Sequence, residues 1–131
     1  MSRAVPYLSY PDAPSAIAWL QELGFGVSLR QDADHGRVVH CEMRLGDAVI
    51  MVASDDADYE IPGLLGQSTG VGVYLVTEEV DGMFRRAVAA GARPVIEPEQ
   101  TAWGSRRSRV VDPWGREWSF GSYEPGRVSQ P

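Results

Sequence analysis

The chain has 131 residues, 44% of them hydrophobic, and it carries 12 basic against 18 acidic side chains. This length suits one domain with a sizeable core and is too short for two ordinary domains. The net charge of -6 argues against a nucleic-acid partner, because binding to phosphates requires a basic surface. The sequence starts without an apolar run of signal-peptide length and contains no membrane-spanning stretch, so we expect a cytoplasmic protein with no membrane partner.

The first half of the chain, about residues 4–53, predicts the element order βαβββ. A segment rich in β-forming residues comes first, and Asp12 then offers an N-cap for a helix that closes at Gly24. Three strands of an antiparallel meander follow, separated by the turn DADHG and by a second turn at residues 46–47. The three strand segments are FGVSLRQ, RVVHCEMRL and AVIMVA.

The second half, about residues 70–123, repeats this order. GVGVYLV predicts a strand, and Thr77 is expected to cap a helix that ends at Gly91. Three further strands are predicted, the last two joined by a turn at residues 113–115, and their segments are ARPVIE, RRSRVVD and REWSFGS. Because the helix-closing glycines and the turns beyond them recur at similar spacing, the sequence fits two copies of one supersecondary unit.

These patterns predict an α+β fold in a single domain over residues 1–131. Residues 54–69 have no clear period and are expected to be a linker or a mobile flap between the two modules, and residues 124–131 form a tail. The single cysteine, Cys41, cannot form an internal disulfide and lies in an apolar strand pattern, so we expect a buried thiol.

Two segments of the second module carry a resemblance to a known family. They are GVYLVTEEVDGMFRRAVAAGARPV and WGSRRSRVVDPWGREWSFGSY. Together with the paired modules, they resemble the vicinal oxygen chelate superfamily, which groups glyoxalase I, extradiol dioxygenases, fosfomycin resistance enzymes and bleomycin-binding proteins. The resemblance covers residues 4–123. It implies that each half curls a mixed sheet around a cavity with the helices outside, and that two protomers pair as a homodimer.

The resemblance also implies four slots at which the family's enzymes hold a divalent metal with His, Glu or Gln. In this sequence the slots fall at Val5, Met51, Gly72 and Ser119. None of these side chains is a good ligand for such a metal, and the residues one position away are no better. We therefore expect a member that lacks the metal ligands, with no metal, no cofactor, and neither glyoxalase nor dioxygenase activity.

Strand alternation sorts the side chains of the last two strands between two faces. Arg107 and Arg109 are expected on one face and Arg106 on the other. By the slot that the resemblance gives it, Ser119 faces the cavity, which sends its neighbours Trp118 and Phe120 toward the core. The two arginines are interpreted either as ligand contacts, since guanidinium planes stack on aromatic rings, or as a solvated strand face with surface ion pairs.

A tryptophan before a glycine marks a candidate ligand groove. Trp103 precedes Gly104 in a loop that we expect to start at the break made by Pro98, and in proteins that resemble this one such a loop borders the groove. Trp114, in the later turn, is expected to be a dimer contact or another groove wall. The candidate ligand-binding residues are Tyr7, Met51, Tyr74, Trp103, Arg107, Arg109 and Ser119.

The strand RVVHCEMRL supplies the only alternative site. His40 and Glu42 lie on one face, where they could act as an acid and base pair, or His40 could simply be hydrogen-bonded beside Glu42 and Arg44. A metal site is disfavoured because two ligands cannot close a coordination shell. The opposite, apolar face is expected to carry Val39, Cys41 and Met43.

Two functions from different classes follow from these observations. The first and preferred one is a non-catalytic, metal-independent binding protein of the bleomycin resistance type, which sequesters an aromatic or cationic amphipathic small molecule in an aromatic-lined cleft of a dimer. The second is a metal-free isomerase, cyclase or epimerase that uses His40 and Glu42. A paralogue that only dimerises is the third possibility.

Overall fold

The computed structural model describes residues 3–56 and 70–126. The chain divides between residues 63 and 64 into two compact units, and each unit has its own four-stranded mixed sheet and one helix. The element order is βαβββ in both units, so the predicted α+β fold with two such modules is confirmed. Residues 57–69 of the expected linker and 127–131 of the expected tail lie outside the described residues.

The first unit contains β1 (Tyr7–Tyr10), α1 (Ala13–Leu23), β2 (Gly26–Asp32), β3 (Val38–Leu45) and β4 (Ala48–Ser54). Its strand order is β1-β4-β3-β2, with β1 parallel to β4 and the other pairs antiparallel. The helix begins and ends as the sequence predicts. The side chain of Asp12 accepts a hydrogen bond from the backbone N–H of Ser15 at 3.2 Å, and Gly24 closes the helix at a φ of 115°.

The apolar face of α1 packs on β4 and β1 and forms the core of this unit. Ile17, Leu20 and Leu23 are completely or almost completely buried, and so are Ile50 and Val52 on β4. Burying each such side chain on folding contributes roughly 1.5–3 kcal/mol to the stability of the folded state. Cys41 is a free thiol in the same core, as predicted, and burial raises its pKa.

The start of β3 departs from the predicted alternation. Val39 was expected on the apolar face, but it is 53% exposed, whereas Val38 is buried. The pairing explains the difference, because Gln31 lies opposite His40 while Asp32 lies opposite Val38. Val39 is therefore the extra residue of a β-bulge, which moves the residues before it to the other face.

The second unit contains β5 (Gly72–Val76), α2 (Val80–Ala89), β6 (Arg93–Gln100), β7 (Arg106–Val111) and β8 (Glu117–Gly121). Its strand order is β5-β8-β7-β6, with β5 parallel to β8. The helix contacts β6, β7 and β8. The large apolar side chains buried in this unit are Leu75, Val80, Met83, Phe84, Val110, Trp118 and Phe120.

The start of α2 was predicted too early. The helix begins at Val80, after Glu79 as its N-cap residue, and not directly after Thr77. The Thr77 hydroxyl accepts the backbone N–H of Glu79 at 2.9 Å, so it closes the turn that precedes the helix.

The predicted break at Pro98 is also wrong, because β6 continues through this residue to Gln100. The strand lies at the edge of its sheet, and its pairing with β7 is irregular between Ile96 and Glu99. A proline is tolerated at such a position because its missing N–H takes no hydrogen bond away from the ladder. In the part of the chain that the structure describes, no helix is long and apolar enough to cross a membrane.

Candidate functional site

A cavity of about 160 Å³ lies in the second unit. Its size is comparable with the roughly 150 Å³ of an engineered cavity that holds a benzene molecule. One aromatic ring therefore fits it, and because the cavity is bordered by exposed side chains, substituents can extend into solvent. Its lining residues are Tyr74, Ile96, Thr101, Trp103, Ser105, Arg107, Ser108, Arg109, Ser119 and Tyr123.

The two arginines of this lining come from one face of β7. Arg107 and Arg109 border the cavity, whereas Arg106 makes an ion pair with Asp81 of α2, with nitrogen–oxygen distances of 2.5 and 2.8 Å. The predicted split of the three arginines between two faces is thus confirmed. The hydrogen bonds from Arg106 lower the pKa of Asp81 below its usual value.

The side chains of β8 also alternate between the two faces of the sheet. Trp118 and Phe120 are completely buried, while Ser119 between them borders the cavity, as expected. The hairpin is fixed by the buried carboxylate of Asp112, which accepts the indole N–H of Trp118 at 3.1 Å. The other oxygen of this carboxylate accepts backbone N–H groups of the turn at 3.0 and 2.8 Å. Because these hydrogen bonds engage a charged group, they hold the register of β7 and β8 firmly.

Trp103 stands at the wall of the cavity on a short loop between β6 and β7. The loop is closed by hydrogen bonds between Thr101 and Ser105, including a backbone bond of 2.8 Å, and Gly104 provides its left-handed position at a φ of 83°. Trp103 is 64% exposed. The guanidinium carbon of Arg107 lies 5.8 Å from the centre of its ring, within the range of a cation–π contact.

Tyr74 forms a second aromatic wall and depends on a glycine. Its hydroxyl donates a hydrogen bond to the carbonyl oxygen of Tyr123 at 2.8 Å. The ring lies so close to Gly121 that a Cβ atom at this position would overlap the hydroxyl and two ring carbons. Partial burial raises the pKa of Tyr74, so its hydroxyl stays protonated and remains a donor at neutral pH.

The arginines at the cavity are paired with carboxylates that are not part of its lining. The guanidinium of Arg107 pairs with Glu99, at 2.9 Å from Nε and 2.8 Å from Nη2. Arg109 donates from Nε to the Ser119 hydroxyl at 3.0 Å, and the same nitrogen lies 3.8 Å from a carboxylate oxygen of Glu117. Neither carboxylate borders the cavity, so the residues that line it carry positive charge only.

The structure brings five of the seven candidate ligand-binding residues together in this cavity. These are Tyr74, Trp103, Arg107, Arg109 and Ser119. Tyr7 and Met51 lie in the first unit, where they are direct partners in the pairing of β1 with β4, and Tyr7 is 76% exposed.

Several lining residues were not identified from the sequence. Ser105 could have been found, since it precedes Arg107 and Arg109 at strand spacing. Ile96 lies opposite Arg109, which only the pairing of β6 with β7 reveals. No sequence pattern marks Thr101 or Tyr123 as a lining residue. Thr101 borders the cavity because its loop closes on Ser105, and Tyr123 borders it because the chain after β8 passes there.

The alternative site in the first unit is a hydrogen-bonded pair. His40 Nε2 lies 2.7 Å from Glu42 Oε2, and both side chains are partly exposed. The pair could share a proton, but neither residue borders the cavity described above. The sequence interpretation of a hydrogen-bonded histidine beside a Glu42 and Arg44 pair agrees with this geometry in its contact between His40 and Glu42.

The slots that the resemblance gives to a divalent metal do not fit one. Three of them lie on strands, at Met51, Gly72 and Ser119, and supply a thioether, no side chain and a hydroxyl. These groups are poor ligands for the metals that His and carboxylate side chains hold. Among residues 3–56 and 70–126, no three His, Cys, Asp or Glu side chains form a group that could hold a metal ion.

Comparisons with known proteins agree with the fold. The sequence model of the Glyoxalase/Bleomycin resistance protein/Dioxygenase superfamily matches residues 4–120. The uncharacterized proteins Mb0911c of Mycobacterium bovis and Rv0887c of Mycobacterium tuberculosis are each 33% identical to this chain over 122 residues. Each alignment covers 88% of this chain; it covers 80% of Mb0911c and 71% of Rv0887c.

Two solved structures are similar along nearly the whole chain. TioX from Micromonospora sp. ML1 has a TM-score of 0.73 at 30% identity and is matched over 97% of this chain and 100% of its own. The bleomycin-binding protein in its complex with bleomycin has a TM-score of 0.64 at 23% identity, over 95% of this chain and 100% of its own.

Proposed function

Because the chain belongs to the glyoxalase/bleomycin resistance protein/dioxygenase superfamily, we propose that it is a metal-independent protein that binds and sequesters a small aromatic molecule. The ligand ring stacks on Trp103 in the cavity of the second unit. The observation that carries this proposal is the exposed indole at the wall of a cavity of ring size, with Tyr74 on the same lining. Sequestration of this kind would protect a cell from a toxic compound.

Three further observations support binding over metal-dependent chemistry. The metal slots lack imidazole and carboxylate groups, as described above. A stacked ring needs no metal, since aromatic faces attract one another through dispersion and their quadrupoles. A protein of the same fold has been solved in complex with bleomycin, which supports the class of function and leaves the ligand of this chain open.

The proposal is tested by titrating the protein with a panel of planar aromatic compounds and recording tryptophan fluorescence and binding heat. We expect saturable quenching by at least one compound. Trp103→Phe should keep most of the binding heat, because a ring remains, while the quenching shrinks, because the reporting indole is gone. Quenching of equal size in Trp103→Phe, or no saturable binding across the panel, would refute the proposal.

His40→Ala separates this function from the alternative, a metal-free isomerase, cyclase or epimerase. The imidazole is hydrogen-bonded to Glu42 and is not among the residues that line the cavity, so its removal should leave the affinity for an aromatic ligand unchanged. An enzyme that used this imidazole as its acid or base would instead lose turnover at nearly unchanged affinity.

We also propose that the protein is a homodimer. Exposed apolar side chains support pairing, among them Leu29 and Val39 of the first unit and Val71 and Val76 of the second. A two-fold partner would remove such surface from water. Light scattering at micromolar concentration is expected to give twice the chain mass of 14.3 kDa, and a value equal to one chain would contradict the dimer.

A further inference from the structure

We infer that the cavity selects aromatic ligands that carry a carboxylate, with the ring on Trp103 and the carboxylate on the guanidinium of Arg109. This inference rests on the proposed function and adds the charge of the ligand to it. It gives the ligand the opposite charge to the cationic amphipathic molecule that the sequence interpretation included.

The two arginines that line the cavity, Arg107 and Arg109, have different roles. Arg107 is held by Glu99 through two nitrogen–oxygen contacts below 3 Å and lies over the ring of Trp103. Its charge is therefore compensated by the carboxylate of Glu99, its partner on the neighbouring strand β6, and its position supports the indole. Arg107 is a positioning residue for the stacking surface.

Arg109 has donors left for a ligand. Only its Nε has a partner among the described residues, at 3.0 Å from the Ser119 hydroxyl and 3.8 Å from Glu117. Its two terminal nitrogens make no hydrogen bond within the part of the chain that the structure describes. A guanidinium with both terminal nitrogens available matches the two oxygens of a carboxylate, and such charge-assisted pairs are about twice as strong as neutral hydrogen bonds.

Both charged side chains that line the cavity, Arg107 and Arg109, are cationic, and no carboxylate is among the lining residues. Glu99 and Glu117 lie within 4 Å of these guanidinium groups and offset part of their charge. The offset is weaker at Arg109, because its nearest carboxylate oxygen lies 3.8 Å from Nε, compared with 2.8 Å from Nη2 at Arg107. Charges more than about 8 Å away are largely screened at physiological salt, so the net charge of -6 does not decide the charge of the ligand.

The test uses three probes with one ring system and different charge: 2-naphthoate, 2-naphthamide and 2-naphthylmethylammonium. Their dissociation constants are measured by calorimetry on the full chain. We expect naphthoate to bind at least about tenfold more tightly than naphthamide, as one charge-assisted carboxylate pair allows, and the ammonium compound to bind most weakly.

Arg109→Gln should reduce the preference for naphthoate over naphthamide to less than about threefold, because naphthoate loses a charge-assisted pair and naphthamide loses at most a neutral acceptor's hydrogen bond. The matched control is Arg86→Gln, which removes the same charge from α2 of the second unit, where Arg86 lies 3.9 Å from Glu79 and does not line the cavity. This control should keep the full preference. An equal loss of preference in both variants would overturn the inference, because it would show a long-range effect of charge.

The experiment distinguishes a failure of this inference from a failure of the proposed function. If naphthoate and naphthamide bind equally well to the wild-type protein and both depend on Trp103, the proposed function holds and the assignment of a carboxylate to Arg109 is wrong. If none of the three probes binds, or if binding does not depend on Trp103, the proposed function and the inference both fail.

Discussion

Trp103→Ala is expected to weaken the binding of an aromatic ligand by roughly ten- to a hundredfold, the loss that accompanies removal of one stacking ring. The fold should be little affected, because the indole is 64% exposed and its loss uncovers little buried surface. The loop that carries it is held by hydrogen bonds between Thr101 and Ser105, which the substitution leaves in place.

Calorimetric titration of the wild type, Trp103→Ala and Trp103→Phe with the same ligand measures this effect. The phenylalanine variant should lie close to the wild type, because it restores an aromatic face. The melting temperatures of the three proteins should agree within a few degrees. An unchanged affinity in Trp103→Ala for every ligand that binds the wild type would mean that the ring belongs to the surface or to a dimer interface.

Gly121→Ala is expected to damage both the fold and the cavity. The new Cβ would lie within van der Waals overlap of the Tyr74 hydroxyl and ring, and Gly121 is buried in β8, a strand with a partner on each side. Overpacking of this kind costs about 1–3 kcal/mol, and the ring can move away from the new Cβ only by losing its hydrogen bond to Tyr123. Because Tyr74 is a cavity wall, ligand affinity should fall at least about tenfold.

Urea unfolding and ligand titration of four proteins test this explanation: the wild type, Gly121→Ala, Tyr74→Ala and the double variant. If the clash with Tyr74 is the cause, Gly121→Ala should cost little stability in the Tyr74→Ala background. Gly26→Ala is the matched control, since Gly26 also lies in a strand, has an ordinary φ and has open space around its would-be Cβ. If the double variant is much less stable than Tyr74→Ala alone, the cost comes from the backbone of β8 and not from the clash with Tyr74.

Features with strong local causes were predictable from the sequence. Asp12 and Gly24 bound α1 because a side-chain acceptor and a left-handed glycine are local solutions to the unpaired groups at helix ends. The sorting of Arg106 from Arg107 and Arg109 follows from the two-residue period of a strand, which no distant contact has to supply. Arg107 and Arg109 border one cavity for this reason.

Features that depend on pairing were missed. The bulge at Val39 arises only when β3 is matched to β2, and the tolerance of Pro98 arises because β6 is an edge strand. The pairing of Glu99 with Arg107 likewise follows from the register of β6 on β7, which puts the two residues opposite each other. Composition and net charge carry no such information.

The most direct test of the central claim is a crystal structure of the protein with the tightest aromatic ligand from the panel. We predict that the ligand ring lies against the face of Trp103 in the cavity lined by Tyr74 and Ser119. A ligand bound elsewhere, with the Trp103 ring left uncovered, would contradict the account.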